Sequence, residues 1–500
     1  MIDGVFWTAL ALVFEPQTLM VGLAAAMFGL FVGAVPGLSA TMAVALLIPV
    51  TFFMPPVPAL VAVVMTTAMA IFAGDIPSVL LRIPGTPASA AYTDDAFAMT
   101  KRGQGELAMG ICLVTSAIGG LFGAVVLVLL APILADFAIR FSSFEYFWLV
   151  LLGLTCAVFV CHGNMIKGTV SLLLGLFIAT IGLDPLAGFP RFTFEVRDLY
   201  SGLPFIATMV GMFAVSEILR TVTALGQPLE VVKHQFGNVF AGVWRVLRRY
   251  HWNMWRGNAI GTAIGILPGA GADIAAWISY SVGKRFSRTP ETFGKGSEEG
   301  LVDAGAANNA AVAGAWVPAL VFGIPGDSVT AIVIGMLFLK GLQPGPMIFD
   351  NSPVETTALF IAFFVANLAL LPIGWLAIKA SGYTLSIPRA YLMPIILLFC
   401  MVGSFAVNND PFAILVMLVM GVVAFLMMEN DIPIAPAILG MVLGDQLEKT
   451  FLTSLMKVDG EVSRLIERPI AAWLAAITVI IWAMMLWSAW RQWRAAKTRA

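Results

Sequence analysis

Charge is what this chain has least of. Only 11% of its 500 residues are Asp, Glu, Lys or Arg, against 60% hydrophobic, whereas a soluble domain carries about 25% charged and about 45–50% apolar residues. So few charges cannot cover a surface facing water on all sides. With a mean hydropathy of +0.93, the chain reads as an all-α polytopic membrane protein. Its net charge of −1 offers no basic surface for nucleic acid. Cysteine is scarce too: Cys112, Cys156, Cys161 and Cys400 lie in apolar segments and form no CxxC pair. They read as small hydrophobes rather than disulfides or metal ligands. His162, His234 and His251 stand alone in the sequence, so no metal is assigned to them. Lys and Arg are missing from the first 81 residues, so the basic n-region of a secretory signal is absent. The amino terminus is expected to belong to the mature membrane domain.

What is there instead is a series of apolar blocks. A membrane helix needs roughly 20 apolar residues, which leaves room for about 10 to 14 spanning or re-entrant segments. The basic tail Arg491, Arg494, Lys497 and Arg499 should be cytoplasmic by the positive-inside rule. Residues 238–256 predict an interfacial helix with Phe240, Val243, Trp244, Leu247 and Tyr250 on one face and Arg245, Arg248 and Arg249 mostly off it. The apolar block 258–282 lies between that basic connector and a second basic loop, Lys284, Arg285 and Arg288. Crossing the bilayer would put one of the two on the wrong side. A re-entrant hairpin turning at Pro268-Gly269 keeps both cytoplasmic. The expected division is a first half, residues 1–230; a cytoplasmic connector, 231–257; a second half, 258–469; and a C-terminal membrane helix with its tail, 470–500.

Two pairs of helix breakers recur in order. At an offset of 232 residues, Gly33, Pro36, Gly37, Ala40 and Ala43 fall on Gly265, Pro268, Gly269, Ala272 and Ala275. At an offset of 241, Pro77, Ile83, Pro84 and Gly85 fall on Pro318, Ile324, Pro325 and Gly326. Proline blocks a helix and glycine relaxes the backbone. In lipid, the freed polar groups survive only when buried in protein or lining a watery cavity. Paired interrupted segments in two halves point to a secondary-transporter site, where half-helix amino ends favour anions and unwound carbonyls coordinate cations. The structural alternative is a set of kinks between packed helices.

The stretches "GAVPGLSATMAVALLIPVTF", "GDIPSVLLRIPGTPASAAYTDDAFAMTKRG", "AANNAAVAGAWVPALVFGIPG" and "GLQPGPMIF" resemble the large membrane subunit of the tripartite tricarboxylate transporters (TctA-type). The resemblance extends from about residue 20 to about residue 460. It implies inverted repeats and ion-coupled uptake of tricarboxylates or dicarboxylates, with Na⁺ or H⁺ as coupling ion and no other cofactor. The partners it implies are a small four-helix membrane subunit (TctB-type) and a periplasmic solute-binding protein (TctC-type) in the inner membrane and periplasm of a bacterium. The chain departs from the family pattern at Ala304-Gly305, at Asp95-Ala96-Phe97-Ala98, and at Arg82, where a small polar residue is usual.

Ionisable groups inside a membrane are costly and are functional candidates by default. Arg82 stands beside a break and could clamp a carboxylate in bidentate fashion, or balance Asp75 seven residues earlier on the same helical face. Asp273 and Asp327 follow the second-half breaks; they could bind Na⁺, carry a proton, or cap the next half-helix. Ser39, Thr41, Thr86 and Ser328 share that ambiguity. Asn308 and Asn309 are adjacent carboxamides on different faces, so at least one is expected to line the pathway. With Pro36, Gly37, Pro84, Gly85, Pro268, Gly269, Gly271, Pro325 and Gly326 they make up the candidate substrate site; Asp75, Asp273 and Asp327 are the coupling-ion candidates. Asp94, next to Asp95, Lys101 and Arg102, reads as a solvated loop residue. Rival classes are a stand-alone carrier or channel for another small anion and a membrane-embedded enzyme; for the latter no HExxH, GxSxG or Cys/His cluster appears.

Overall fold

The computed structural model describes residues 2–35, 38–160, 165–184, 188–223, 237–269, 271–384 and 389–497. Pro36, Gly37, Cys161, His162, His234, Arg499 and the connector's first residues, 231–236, lie outside that set, and the side chains of Arg491, Arg494 and Lys497 are likewise not described.

The first half begins with α1 (Ile2–Val13), α2 (Pro16–Ala34) and α3 (Ala40–Thr51). Then come α4 (Pro56–Ala73), α5 (Asp75–Leu81), α6 (Thr93–Lys101) and α7 (Gly105–Ala138), followed by α8 (Ser143–Val160), α9 (Met165–Ala179), α10 (Phe205–Val210) and α11 (Ser216–Thr223). The second half contains α12 (Val243–Arg249), α13 (His251–Ile266), α14 (Gly271–Phe286), α15 (Glu298–Phe322) and α16 (Ser328–Leu339). It ends with α17 (Ile348–Asn351), α18 (Pro353–Thr384), α19 (Arg389–Asn408), α20 (Pro411–Glu429), α21 (Ala435–Lys457) and α22 (Pro469–Lys497). Among the described residues the one sheet is a two-residue antiparallel pair, β1 (Gly182–Leu183) with β2 (Pro190–Arg191). Among the described residues seven helical spans are long and apolar enough to cross a membrane, and six shorter apolar helices accompany them. The chain is an all-α, multi-pass membrane protein.

Helix packing repeats at the two offsets found in the sequence. A Cβ on Gly29 would collide with the Thr66 carbonyl, and one on Gly33 with that of Ala70. In the second half Gly261 meets the Ala307 carbonyl and Gly265 that of Ala311 in the same way. The glycines correspond at 232 and their partners at 241. Small residues let the backbones approach closely, the usual basis of helix association in lipid. In both halves the helix before the first break therefore runs parallel to the long buried one, α2 beside α4–α5 and α13 beside α15. The two halves interlock as well, since Gly119 and Gly123 of α7 press on the Ala306 and Ala310 carbonyls of α15.

The block 258–282 does form a hairpin. Tyr280 lies by Gly300 and Ser279 donates to the Asp303 carbonyl at 2.9 Å, while Gly271 lies against Asp327. So α14 runs antiparallel to α15, and hence to α13, with the turn at Gly269 (φ 79°) and Gly271 (φ 57°). Each arm has 16 residues, or about 24 Å of helix, short of the roughly 30 Å hydrocarbon thickness.

The connector differs from the expected single helix. It breaks at Tyr250 (φ −109°, ψ 29°), and the segment from His251 onward is already the first arm of the hairpin. Its buried face is Val243, Val246 and Leu247, whereas Phe240 and Trp244 are exposed. The pattern of one apolar face over 238–256 assumed a helical period that the kink at Tyr250 interrupts.

Candidate functional site

Each break starts from a helix that ends in a defined way. α5 closes at Arg82, in the left-handed region at φ 59°, with the Ile83 N–H reaching the Pro77 carbonyl at 3.3 Å. α15 closes at Gly323 (φ 66°), with Ile324 N–H to the Pro318 carbonyl at 3.2 Å. These are the same six-to-one helix ends at an offset of 241. The chain then folds back on its own helix: a Cβ on Gly85 would lie 2.5 Å from the Gly74 Cα, and one on Gly326 2.6 Å from the Ala315 Cα. Glycine is required at both, because a side chain there would push the returning strand off the helix. Pro84 is exposed and Pro325 buried.

Three of the four breaks meet. The Asp273 carboxyl, in the first turn of α14, lies beside the Ala88 backbone N–H and near Asp327. The Trp277 indole donates to the Pro87 carbonyl at 3.2 Å. A Cβ on Gly271 would sit 2.6 Å from the Asp327 Cβ. The second-half hairpin tip thus touches both the first-half break at 82–88 and the second-half break at 323–327. Helix α8 closes over it, with Ala157 against Gly269 and Gly153 against Pro268 and Ile324. The fourth break holds Pro36 and Gly37, outside the described residues; beyond it Ser39 caps α3 by accepting from the Met42 N–H at 3.1 Å, and Thr41 is half-buried in its first turn.

Several candidate side chains are committed locally. Asp327 caps α16: its Oδ1 accepts from Thr330 N–H and Oγ1–H, both at 2.7 Å. Thr86 and Ser89 bond reciprocally through their hydroxyls and backbone N–H groups at 3.1 Å. Ser328, the first residue of α16, is half-buried. Arg82 does not balance Asp75. It pairs with Asp94 at 2.8 Å, both side chains being about 60% exposed. The seven-residue spacing assumed a continuing helix, but the left-handed backbone at Arg82 carries its side chain off that face. Asp94 is accordingly an exposed residue in the first turn of α6 rather than a loop residue.

Asp75 is fully buried, and its Oδ1 accepts from the Tyr92 hydroxyl at 2.5 Å. The Asn308 amide approaches that same hydroxyl at 3.4 Å. The Cys112 thiol lies beside the carboxyl. Asp75 Oδ2, Asn308 Oδ1 and both ends of the Asn309 carboxamide find no hydrogen-bond partner. Buried polar atoms are nearly always partnered, which sets these four apart from the committed side chains above.

Sequence reasoning missed Tyr92, and it took Cys112 for packing. It also passed over Asp303, a fully buried acid that Arg256 holds from α13 at 2.5 Å, and Asn258 and Asn367, buried carboxamides with unpartnered atoms. An acid within the apolar run of α15 was the available signal.

The model of the Tripartite tricarboxylate transporter TctA family matches residues 19–439. The chain belongs to this family. A relative from Agrobacterium vitis, "Uncharacterized 52.8 kDa protein in TAR-I ttuC' 3'region", is 32% identical over 451 residues, 90% of this chain and 89% of the relative. A second from the same organism, "Uncharacterized protein in TAR-II ttuC' 3'region", is 32% identical over 220 residues, 44% of this chain and 91% of the relative. No solved structure matches. As a TctA member the chain is the large subunit of a tripartite tricarboxylate transporter.

Proposed function

We propose that this TctA-family chain imports tricarboxylates or dicarboxylates across a bacterial inner membrane, driven by a Na⁺ or H⁺ gradient. A periplasmic binding protein delivers the substrate, and a small four-helix subunit completes the membrane complex. The observation that carries this is the meeting of breaks from both halves in one place. An inert scaffold has no need of it, since irregular backbone inside a membrane must line a cavity or be covered by protein.

Helix amino ends at the breaks supply partial positive charge for a carboxylate. Those of α14 and α16 already face Asp273 and Asp327, whereas α3 and the 86–89 turn present only the hydroxyls of Ser39, Thr86 and Ser89. The substrate anion therefore sits toward the first-half breaks, with Asn308 and Asn309 as neutral hydrogen-bonding groups and Arg82 at the exposed rim. Coupling runs through the acidic groups Asp75, Asp273 and Asp327.

Inversion of the repeats is supported by α7 and α18, the long helices that follow the second break of each half. Gly120 meets Asn367 while Gly374 meets Leu113, an antiparallel pairing of helices in equivalent positions. The basic tail sets the C-terminus in the cytoplasm.

The test is reconstitution of this chain with both partners in liposomes, with radiolabelled citrate and succinate as probes. Saturable entrance counterflow that depends on the loaded binding protein is expected. Equal, unsaturable flux without either partner would instead fit a channel.

A further inference from the structure

Among the described residues Asp75 has no counter-ion. Its polar partners are the Tyr92 hydroxyl and the Cys112 thiol, one from beyond the first-half break and one from α7. The neutral Asn308 is reached through Tyr92. Tyr92 and Cys112 are the titratable groups facing it from the packed elements, and neither is a cation. Holding a bare carboxylate there costs several kcal/mol even after relaxation, and buried acids without a partner take a proton instead. A hard metal ion wants a full shell of oxygens; here it would meet a thiol and a hydroxyl already donating to the acid. The described residues contain no group of three or more His, Cys, Asp or Glu able to hold a metal.

We propose that Asp75 is a proton-binding site and that the proton is the coupling ion of this transporter, a reading that rests on the transport function above. The hydrogen-bond chain Asp75–Tyr92–Asn308 explains how binding would couple to motion. Asp75 precedes the break at Arg82–Thr86, Tyr92 follows it, and Asn308 belongs to the other half. Any rearrangement that moves the break or separates the halves pulls this chain apart, changes the solvation of the carboxyl and so its hold on the proton. The repeat is asymmetric here, since Trp316 occupies the position equivalent to Asp75 at the offset of 241. The repeat therefore supplies this site once, in the first half. Tyr92 is a positioning residue: it touches the acid, not the substrate.

Two measurements test this. Infrared spectra of the purified full chain and of Asp75→Asn, which keeps the shape and the acceptor for Tyr92, read the protonated carboxyl without any substrate. A carboxylic-acid C=O band at neutral pH that the variant lacks is expected; identical spectra overturn the proposal. In proteoliposomes with both partners, an inward pH gradient should drive wild-type accumulation of citrate or succinate. Asp75→Asn should still exchange labelled for unlabelled probe but no longer accumulate it, and Tyr92→Phe should shift the pH profile of uptake. Accumulation by Asp75→Asn under the pH gradient, or wild-type accumulation driven by Na⁺ alone at equal pH, also overturns it. Failure of the wild type to exchange any carboxylate probe would count against the transport reading instead, leaving the infrared result to decide the proton site.

Discussion

Replacing Arg82 by glycine separates its structural role from its chemical one. A non-glycine residue in the left-handed region costs about 1–2 kcal/mol, and Arg82 sits there at φ 59° where the second half has Gly323. Glycine relieves that strain but returns about 0.4–1 kcal/mol through a looser unfolded chain. The variant also gives up the exposed Asp94 pair, worth about 0–1 kcal/mol. Stability should therefore stay within about 1.5 kcal/mol of wild type. If Arg82 clamps substrate, losing a charge-assisted hydrogen bond costs about 1.5–3 kcal/mol, or about ten- to a hundredfold in affinity. Arg82→Lys should be damaged too, because it keeps the charge but loses the planar fork. Thermal unfolding of the purified chain and probe binding by the reconstituted complex, each at matched protein amounts, give the two numbers. Arg82→Gly with wild-type binding would refute the clamp and leave Arg82 as a partner of Asp94 alone.

Gly33→Ala and Gly265→Ala should each destabilise by about 1–3 kcal/mol through overpacking, read as lower unfolding temperature, whereas Gly103→Asn, in a turn with open space around it, should be tolerated. Asn309→Leu should be neutral or stabilising for folding, because an unpartnered buried amide is replaced by an apolar group, yet should depress uptake; unchanged uptake would place Asn309 off the pathway. Arg256→Met leaves Asp303 buried and uncompensated and should cost about 3–5 kcal/mol; Arg256→Met with Asp303→Asn should recover most of it in the same unfolding assay.

The repeat was legible because proline and glycine carry backbone geometry in their identity, and the offsets that align Gly33 with Gly265 and Pro84 with Pro325 also align the helix contacts. The capping role of Asp327 was readable from the threonine three residues on. The partner of Arg82 was not, because spacing predicts a face only while the helix continues, and one left-handed residue ends it. Tyr92 was hidden for a related reason: the chain returns after the break, so a residue beside the polar Asp94-Asp95 pair ends fully buried against Asp75. Cys112 shows the limit of composition, since an apolar packing cysteine and one beside a buried acid look alike in sequence.

That the transported carboxylate binds where the breaks meet is tested most directly by substrate protection. A single cysteine is placed at Ser328, half-buried at the amino end of α16, in a chain whose Cys112, Cys156, Cys161 and Cys400 are replaced by serine. Its alkylation rate is then measured in the reconstituted complex with and without saturating citrate or succinate, whichever the wild type exchanges. The transported probe should slow alkylation at this position and leave a control cysteine at exposed Phe286, at the far end of α14, unaffected. Equal rates at Ser328→Cys with and without a probe that the same variant transports would contradict a substrate site at the breaks.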